Sequence, residues 1–214
     1  MPTEHHAEDC WTADRTRTCS LRSFRRPLPS RVRGFLAAQG DLPLTNGPVR
    51  QNDQICPDGY RLDAFPADVG QGHDAYMAAC NTLTEHVCHL IPELELYRTG
   101  SGMQLGDAVA TVTRGLVCWS VQANRVSEII KSDTRARIRY GFVLATLPGH
   151  SLEGEERFLL EFDRVTNQVR FEIRTIVRPS AFLNRLLFPL IHRRYRQLRK
   201  QAVQAFQLLC EQRL

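Results

Sequence analysis

The sequence predicts an α+β fold in which a curved antiparallel β-sheet grips a long C-terminal α-helix. Three observations carry that prediction. From about residue 105 to 177 apolar residues recur with a period of two, the spacing of strands that show one face to a core. Short turn signals, Ser132-Asp133-Thr134 and Thr166-Asn167 among them, interrupt this run, so the strands read as an antiparallel meander. After Pro189, the residues Ile191, Tyr195, Leu198, Ala202, Ala205, Phe206 and Leu209 form an apolar stripe at helical spacing over about five turns.

The elements before the meander are shorter. Residues 1–40 read as a disordered or weakly ordered basic extension, with Arg15, Arg17, Arg22, Arg25 and Arg26 and few large apolar side chains. Within it, Ser30 is placed to cap a short helix through Val32, Phe35 and Leu36, ended by Gly40. Pro, Asn and Asp make 41–58 a loop, and Tyr60, Leu62 and Phe65 suggest a short strand. Asp74 then caps a helix over about 74–90, whose stripe is Tyr76, Ala79, Leu83, Val87 and Leu90, and Pro92 stops it. Strands follow at Val109–Thr113, Val117–Val121, 123–131, 135–146, 155–163 and 168–177. Pro189 occupies the first turn of the last helix, where a missing N–H is tolerated. Residues 41–214 are thus read as one domain.

Composition bounds the function. The chain has 214 residues, 43% hydrophobic and 24% charged, an ordinary globular balance. A formal net charge of +5 permits weak attraction to anionic surfaces without demanding it. The seven cysteines are odd in number and contain no Cys-x-x-Cys pair, and no secretory apolar segment is visible. Free thiols in a reducing, cytoplasmic setting are expected. No nucleotide-binding glycine motif, phosphate loop, zinc-hydrolase or serine-hydrolase signature occurs, and no cofactor is expected. His86 with His89, flanking Cys88, lacks a third ligand at sensible spacing, so these residues read as polar decoration of a helix end and no metal is expected.

Strand parity locates the site. Ile138, Tyr140, Phe142, Leu144 and Thr146 share one face of their strand; Glu156, Phe158, Leu160 and Phe162 share one face of the next; Val169, Phe171, Ile173, Thr175 and Val177 share one face of the third. That face is apolar and becomes polar at one end, at Thr146 and Glu156. The other face carries Arg137, Arg139, Arg157, Glu161, Arg170, Glu172 and Arg174, a solvated surface of mixed sign. An inward Glu156 has its pKa raised by burial unless Arg178, His150 or backbone N–H groups compensate. Glu156 reads either as an acid/base or ligand anchor, or as a carboxylate tying down the 147–154 loop. His150 follows Pro148-Gly149 and reads either as catalytic or as a turn residue bonding local backbone. Gly149 and Gly154 are expected at positive φ. The run His192–Lys200 is strongly basic, but Tyr195 and Leu198 lie on the core stripe, so its charges are expected on the outer arc.

The segment Arg139-Tyr140-Gly141-Phe142…Thr146-Leu147-Pro148-Gly149-His150…Gly154-Glu155-Glu156-Arg157-Phe158, followed by Arg178-Pro179, resembles domain-of-unknown-function family nineteen-ninety of bacteria and plants. Val69-Gly70-Gln71-Gly72 and Asn124-Arg125-Val126 fit the same pattern, and the resemblance covers about 55–210. Leu144-Ala145 departs from it, since the family typically has Tyr-Gly there. The resemblance implies a helix-grip, START-like fold and no established activity; members of the wider superfamily mostly bind apolar small molecules between sheet and helix.

The expectation is therefore a non-catalytic module for a small apolar or amphipathic ligand. Tyr140, Phe142, Phe158, Leu160, Phe171 and Tyr195 of the C-terminal helix would line its cavity, with Glu156, Thr146 and His150 as polar anchors at its mouth and Arg178 as a further polar contact. Two alternatives stand beside it. One is a lyase, cyclase or hydrolase using Glu156 and His150. The other is a membrane-surface or interaction protein using the basic residues 192–200, for which an anionic membrane is favoured over nucleic acid.

Overall fold

A computed structural model describes residues 20–39, 42–45, 56–87, 90, 94–98, 100, 103–114 and 118–213. The elements in chain order are β1 (Ser20–Ser23), α1 (Pro29–Ala37), β2 (Arg61–Gln71), α2 (Gly72–His86), β3 (Leu94–Arg98), β4 (Ala108–Arg114), β5 (Trp119–Asp133), β6 (Arg137–Thr146), β7 (Leu152–Asp163), β8 (Gln168–Pro179) and α3 (Phe182–Glu211). β3 to β8 form the meander, each pairing antiparallel with the next. β2 pairs antiparallel with β8, which puts it at the edge of the order opposite β3. The predicted α+β architecture, an antiparallel sheet held against a long C-terminal helix, is the one observed.

One face of the sheet carries the main core. Phe142, Phe158, Leu160, Phe162, Phe171 and Ile173 pack against Leu198, Ala202, Val203 and Phe206 of α3 and against the α2 stripe. All five residues of the expected stripe, Tyr76, Ala79, Leu83, Val87 and Leu90, are buried, although α2 ends at His86 rather than near residue 90, so that Val87 caps it and Leu90 lies beyond it. Phe171 and Phe206 set the sheet–helix contact, with ring centroids 4.1 Å apart. Over β6 to β8 the other face is charged as expected, with Arg139 on Glu161 (2.7 Å) and Arg157 on Glu172 (3.1 Å). Over β3 to β5 it is not solvated. There Ala108, Ala110, Val112 and Val121 pack under Val32 and Leu36 of α1, forming a second, smaller core.

The residues of the expected N-terminal extension that are described, 20–39, are built into this body. Pro29 opens α1, in place of a Ser30 cap. β1 pairs with Trp119–Gln122, on the side of β5 that β6 leaves open, because β6 pairs with β5 only from Asn124 onward. Arg125 fixes the chain after α1 by donating to the carbonyls of Leu42 (2.6 Å) and Gln39 (2.9 Å). Residues 1–19 lie outside the described residues.

The differences from the sequence reading that matter most are at α2, β5 and α3. α2 begins at Gly72 rather than Asp74, straight from β2. Gly72 has φ 87° and donates its N–H to the carbonyl of Asn167 (2.9 Å), so this turn is pinned to the β7–β8 hairpin, and Asp74 serves as a first-turn acid. β5 is one strand where two were expected; a register shift between Val126 and Glu128 absorbs an extra residue and bends it. α3 begins at Phe182, so Pro189 lies inside the helix. Pro189 leaves the Arg185 carbonyl without its i+4 donor, but both residues are exposed and solvent meets that loss. Among the described residues no helix is long and apolar enough to cross a membrane.

Candidate functional site

Strand parity turns Glu156 inward from β7, and it is buried as expected (8% exposed). Its partner is Arg199 of α3, itself 4% exposed. Arg199 Nε donates to Glu156 Oε1, and Nη2 donates to Oε2 at 2.7 Å, a bidentate fork between sheet and helix. Tyr195, one turn earlier, lays its ring on the guanidinium, 4.0 Å from ring centroid to Cζ. Burial works against the Arg199 charge, but Glu156 and Tyr195 beside it together outweigh that, and the guanidinium is held above its ordinary range. Burial pushes the Tyr195 phenol up. The third guanidinium nitrogen, Nη1, is buried and has no hydrogen-bond partner among the described residues.

This cluster sits in the wall of a void of about 30 Å³ between sheet and α3. Val87, Leu90, Leu94, Leu144, Phe158 and Ile173 make its apolar wall; Thr111 and Asn124 join Glu156, Tyr195 and Arg199 as its polar groups. Asn124 Nδ2 donates to Thr111 Oγ1 (3.1 Å). Leu96, Thr111 and Tyr195 are only half-buried and mark the side of the void nearest solvent.

The expected site residues divide. Glu156, Phe158 and Tyr195 meet at the void. Phe142 lies behind it, stacked on Phe158 at 5.0 Å. Leu160 and Phe171 are fully buried core residues rather than lining, and Phe206 of α3 packs on the Phe171 ring. Tyr140 turns to α2, its hydroxyl 3.2 Å from Thr84 Oγ1. Thr146 is buried and accepts the Gly154 N–H (3.0 Å), which ties the two strands at their turn. Arg178 does not compensate Glu156: it is paired with Glu153 (2.8 Å) and lies over the Tyr60 ring (4.8 Å).

His150 is a buried turn residue. Its Nδ1 is 2.8 Å from the Leu152 carbonyl and 3.0 Å from the Leu152 N–H, so either tautomer makes one of these bonds. Burial, opposed by the Leu152 contact and aided by the charge of Arg199, lowers its pKa to about 4. Gly149 and Gly154 have the expected positive φ, and a Cβ at Gly154 would run into the Ile176 carbonyl. The alternative pairing of Glu156 with His150 is not assembled: Glu156 is committed to Arg199, His150 to Leu152, and His150 does not line the void.

Arg199 is the residue that sequence reasoning missed. The amphipathic pattern places the charges of the basic run on the outer arc. Arg199 lies four residues after Tyr195 and three before Ala202, which puts it on the inward stripe. Two other members of the run hold the helix: His192 is 2.5 Å from Asp63 and Arg196 is 3.1 Å from it, clamping α3 to β2. His86 contacts Arg213 (3.0 Å), and Cys88 and His89 lie outside the described residues. No group of three His, Cys, Asp or Glu among the described residues forms a metal cluster.

Residues 45–205 match the model of a domain of unknown function, DUF1990. The chain belongs to the DUF1990 family. A UPF0548 protein of Arabidopsis thaliana is 24% identical to this DUF1990 chain over 160 residues, covering 73% of it and 77% of the relative. A UPF0548 protein of Deinococcus radiodurans is 40% identical over 73 residues, 34% of each chain. Among solved structures, the crystal structure of Ara h 8.0201 is similar at a TM-score of 0.47 and 10% identity, covering 72% of the DUF1990 chain and 99% of that one. A START superfamily protein from Mycobacterium smegmatis is similar at 0.42 and 10% identity, with coverages of 72% and 99%.

Proposed function

We propose that this protein is a non-catalytic binding module for a small apolar or amphipathic molecule, held between the sheet and α3 with its polar group at the Glu156–Arg199–Tyr195 cluster. The observation that carries the reading is the buried ion pair at an apolar void. Burying two charges costs several kcal/mol per ion before pairing, and well-packed apolar side chains often do as well for stability. An Nη1 at the wall of a void with no acceptor in hydrogen-bond geometry supports a ligand there. The charge balance narrows that ligand. Glu156 already neutralises Arg199, so a second carboxylate would bring an uncompensated buried charge. A neutral oxygen acceptor, a carbonyl or hydroxyl on an apolar body, matches the remaining N–H.

The void of about 30 Å³ has room for roughly one water-sized group. It therefore serves the polar end of a ligand, and a longer apolar body needs α3 to yield beside Tyr195. Thermal shift with neutral alcohols and ketones tests this. A compound present at about 100 times its Kd adds about 2.7 kcal/mol of stability, which is roughly 5–10 °C for a domain of this size. The same compounds should leave an Arg199→Met variant, or a Glu156→Leu/Arg199→Met pair, unshifted. Equal shifts in wild type and variants would remove the cluster from the site.

A further inference from the structure

The void between sheet and α3 has a second polar wall. Asn124 of β5 lines it and is more than nine-tenths buried (8% exposed). Its Nδ2 donates to Thr111 Oγ1 on β4 (3.1 Å), and its Oδ1 accepts no hydrogen bond among the described residues. Buried amides ordinarily find partners at both ends. Thr111 takes the nitrogen, so the oxygen is the end left for the void. Leu144 of β6 lies between the two polar walls. It pairs with Glu156 on β7 and with Val126 on β5, two residues along from Asn124. The void thus lies against Leu144, with the Arg199 Nη1 donor held on the β7 side by Glu156 and the Asn124 acceptor on the β5 side.

Resting on the ligand reading above, we infer that the polar group received here is a hydroxyl and that Asn124 selects it. A hydroxyl accepts from Arg199 and donates to Asn124 through a single oxygen, and a void of about 30 Å³ has room for roughly one water-sized group. A ketone or an ether accepts but cannot donate, so it leaves the Asn124 oxygen buried and unpaired. An amine, protonated at neutral pH, has no lone pair for the Arg199 N–H and brings a second cation to it. A primary amide both accepts and donates, but with two polar atoms where there is room for about one. A water would make the same two bonds as a hydroxyl, so an alcohol can displace one without losing them.

Titration of the full chain with 2-octanol and 2-octanone, followed by backbone amide NMR, tests this, because the two probes share one carbon skeleton. The expected result is that the alcohol binds roughly tenfold more tightly than the ketone. Asn124→Leu, which keeps Arg199 and removes the acceptor, should bind the two alike. Equal affinities in the wild type, or a tighter ketone, would overturn the assignment of a hydroxyl and leave the ligand reading standing; a tighter ketone is what an Asn124 amide turned the other way round would give. A preference for the alcohol that survives Asn124→Leu would overturn the role of Asn124, since another group must then take the hydroxyl proton. Binding of neither probe would remove the ligand reading and the hydroxyl with it. The wild-type ratio needs no variant and decides alone if Asn124→Leu does not fold.

Discussion

Glu156 on β7 and Arg199 on α3 face each other across the sheet–helix boundary and are joined by two hydrogen bonds, with the Tyr195 ring closing one side of the guanidinium. The pair lies where the apolar face of the sheet turns polar, and it fixes the register of α3 against β7. Its energetic signature is asymmetric, and so testable.

Removing one partner strands the other. Arg199→Met should destabilise the fold by about 3–5 kcal/mol, because Glu156 is left charged and buried. Replacing both, as Glu156→Leu/Arg199→Met, should recover most of that loss. Urea denaturation of the two single variants and the double measures this coupling; additive losses would mean that the two side chains do not depend on each other.

The pH dependence follows from His150. Its folded pKa of about 4 lies below the ordinary value of 6.5, so the native state favours the neutral ring. Above pH 6.5 both folded and unfolded forms are neutral and the full contribution is present. Between pH 6.5 and about 4 only the unfolded chain takes up the proton, so stability falls as pH falls through this window. The total is about 3 kcal/mol. A His150→Gln variant should lack this component. The difference between its stability and that of wild type, measured by urea titration from pH 7 to 4, isolates it from the carboxylates. A constant difference would show that His150 is not held neutral.

Two glycines should respond in opposite directions. Gly154→Ala places a Cβ against the Ile176 carbonyl at a φ of 143°, and a loss of roughly 3 kcal/mol or more is expected. Gly34, inside α1, has no neighbour within 4 Å of an added Cβ. Gly34→Ala should stabilise by about 0.5–1 kcal/mol through helix propensity. Thermal unfolding of both variants checks the pair, and similar losses would contradict the backbone argument.

What was legible in the sequence is what local periodicity controls. The parity of Phe142, Leu144, Phe158 and Leu160, and the inward turn of Thr146 and Glu156, follow from alternation along single strands. The α2 stripe follows from spacing within one helix. What was not legible depends on distant partners. β1 and β3 are short and exist because β5 and β4 offer open hydrogen-bonding edges. Pro189 reads as a helix start, yet the apolar turns before it continue the helix because the Arg185 carbonyl is solvated. Arg199 was hidden inside a basic run, and only the 195–199–202 spacing, set beside an inward Glu156 that needs a cation, separates it from its neighbours.

The central claim is that the Glu156–Arg199–Tyr195 cluster receives the neutral polar group of an apolar ligand. NMR observation of the Arg199 side-chain N–H resonances tests it most directly, during titration with 1-octanol, 2-octanone and octanoate. Saturable shifts of the Arg199 resonances with the alcohol or the ketone, and none with octanoate, are the predicted result. Resonances unmoved by the two neutral compounds up to their solubility limits, or moved only by the carboxylate, would contradict it.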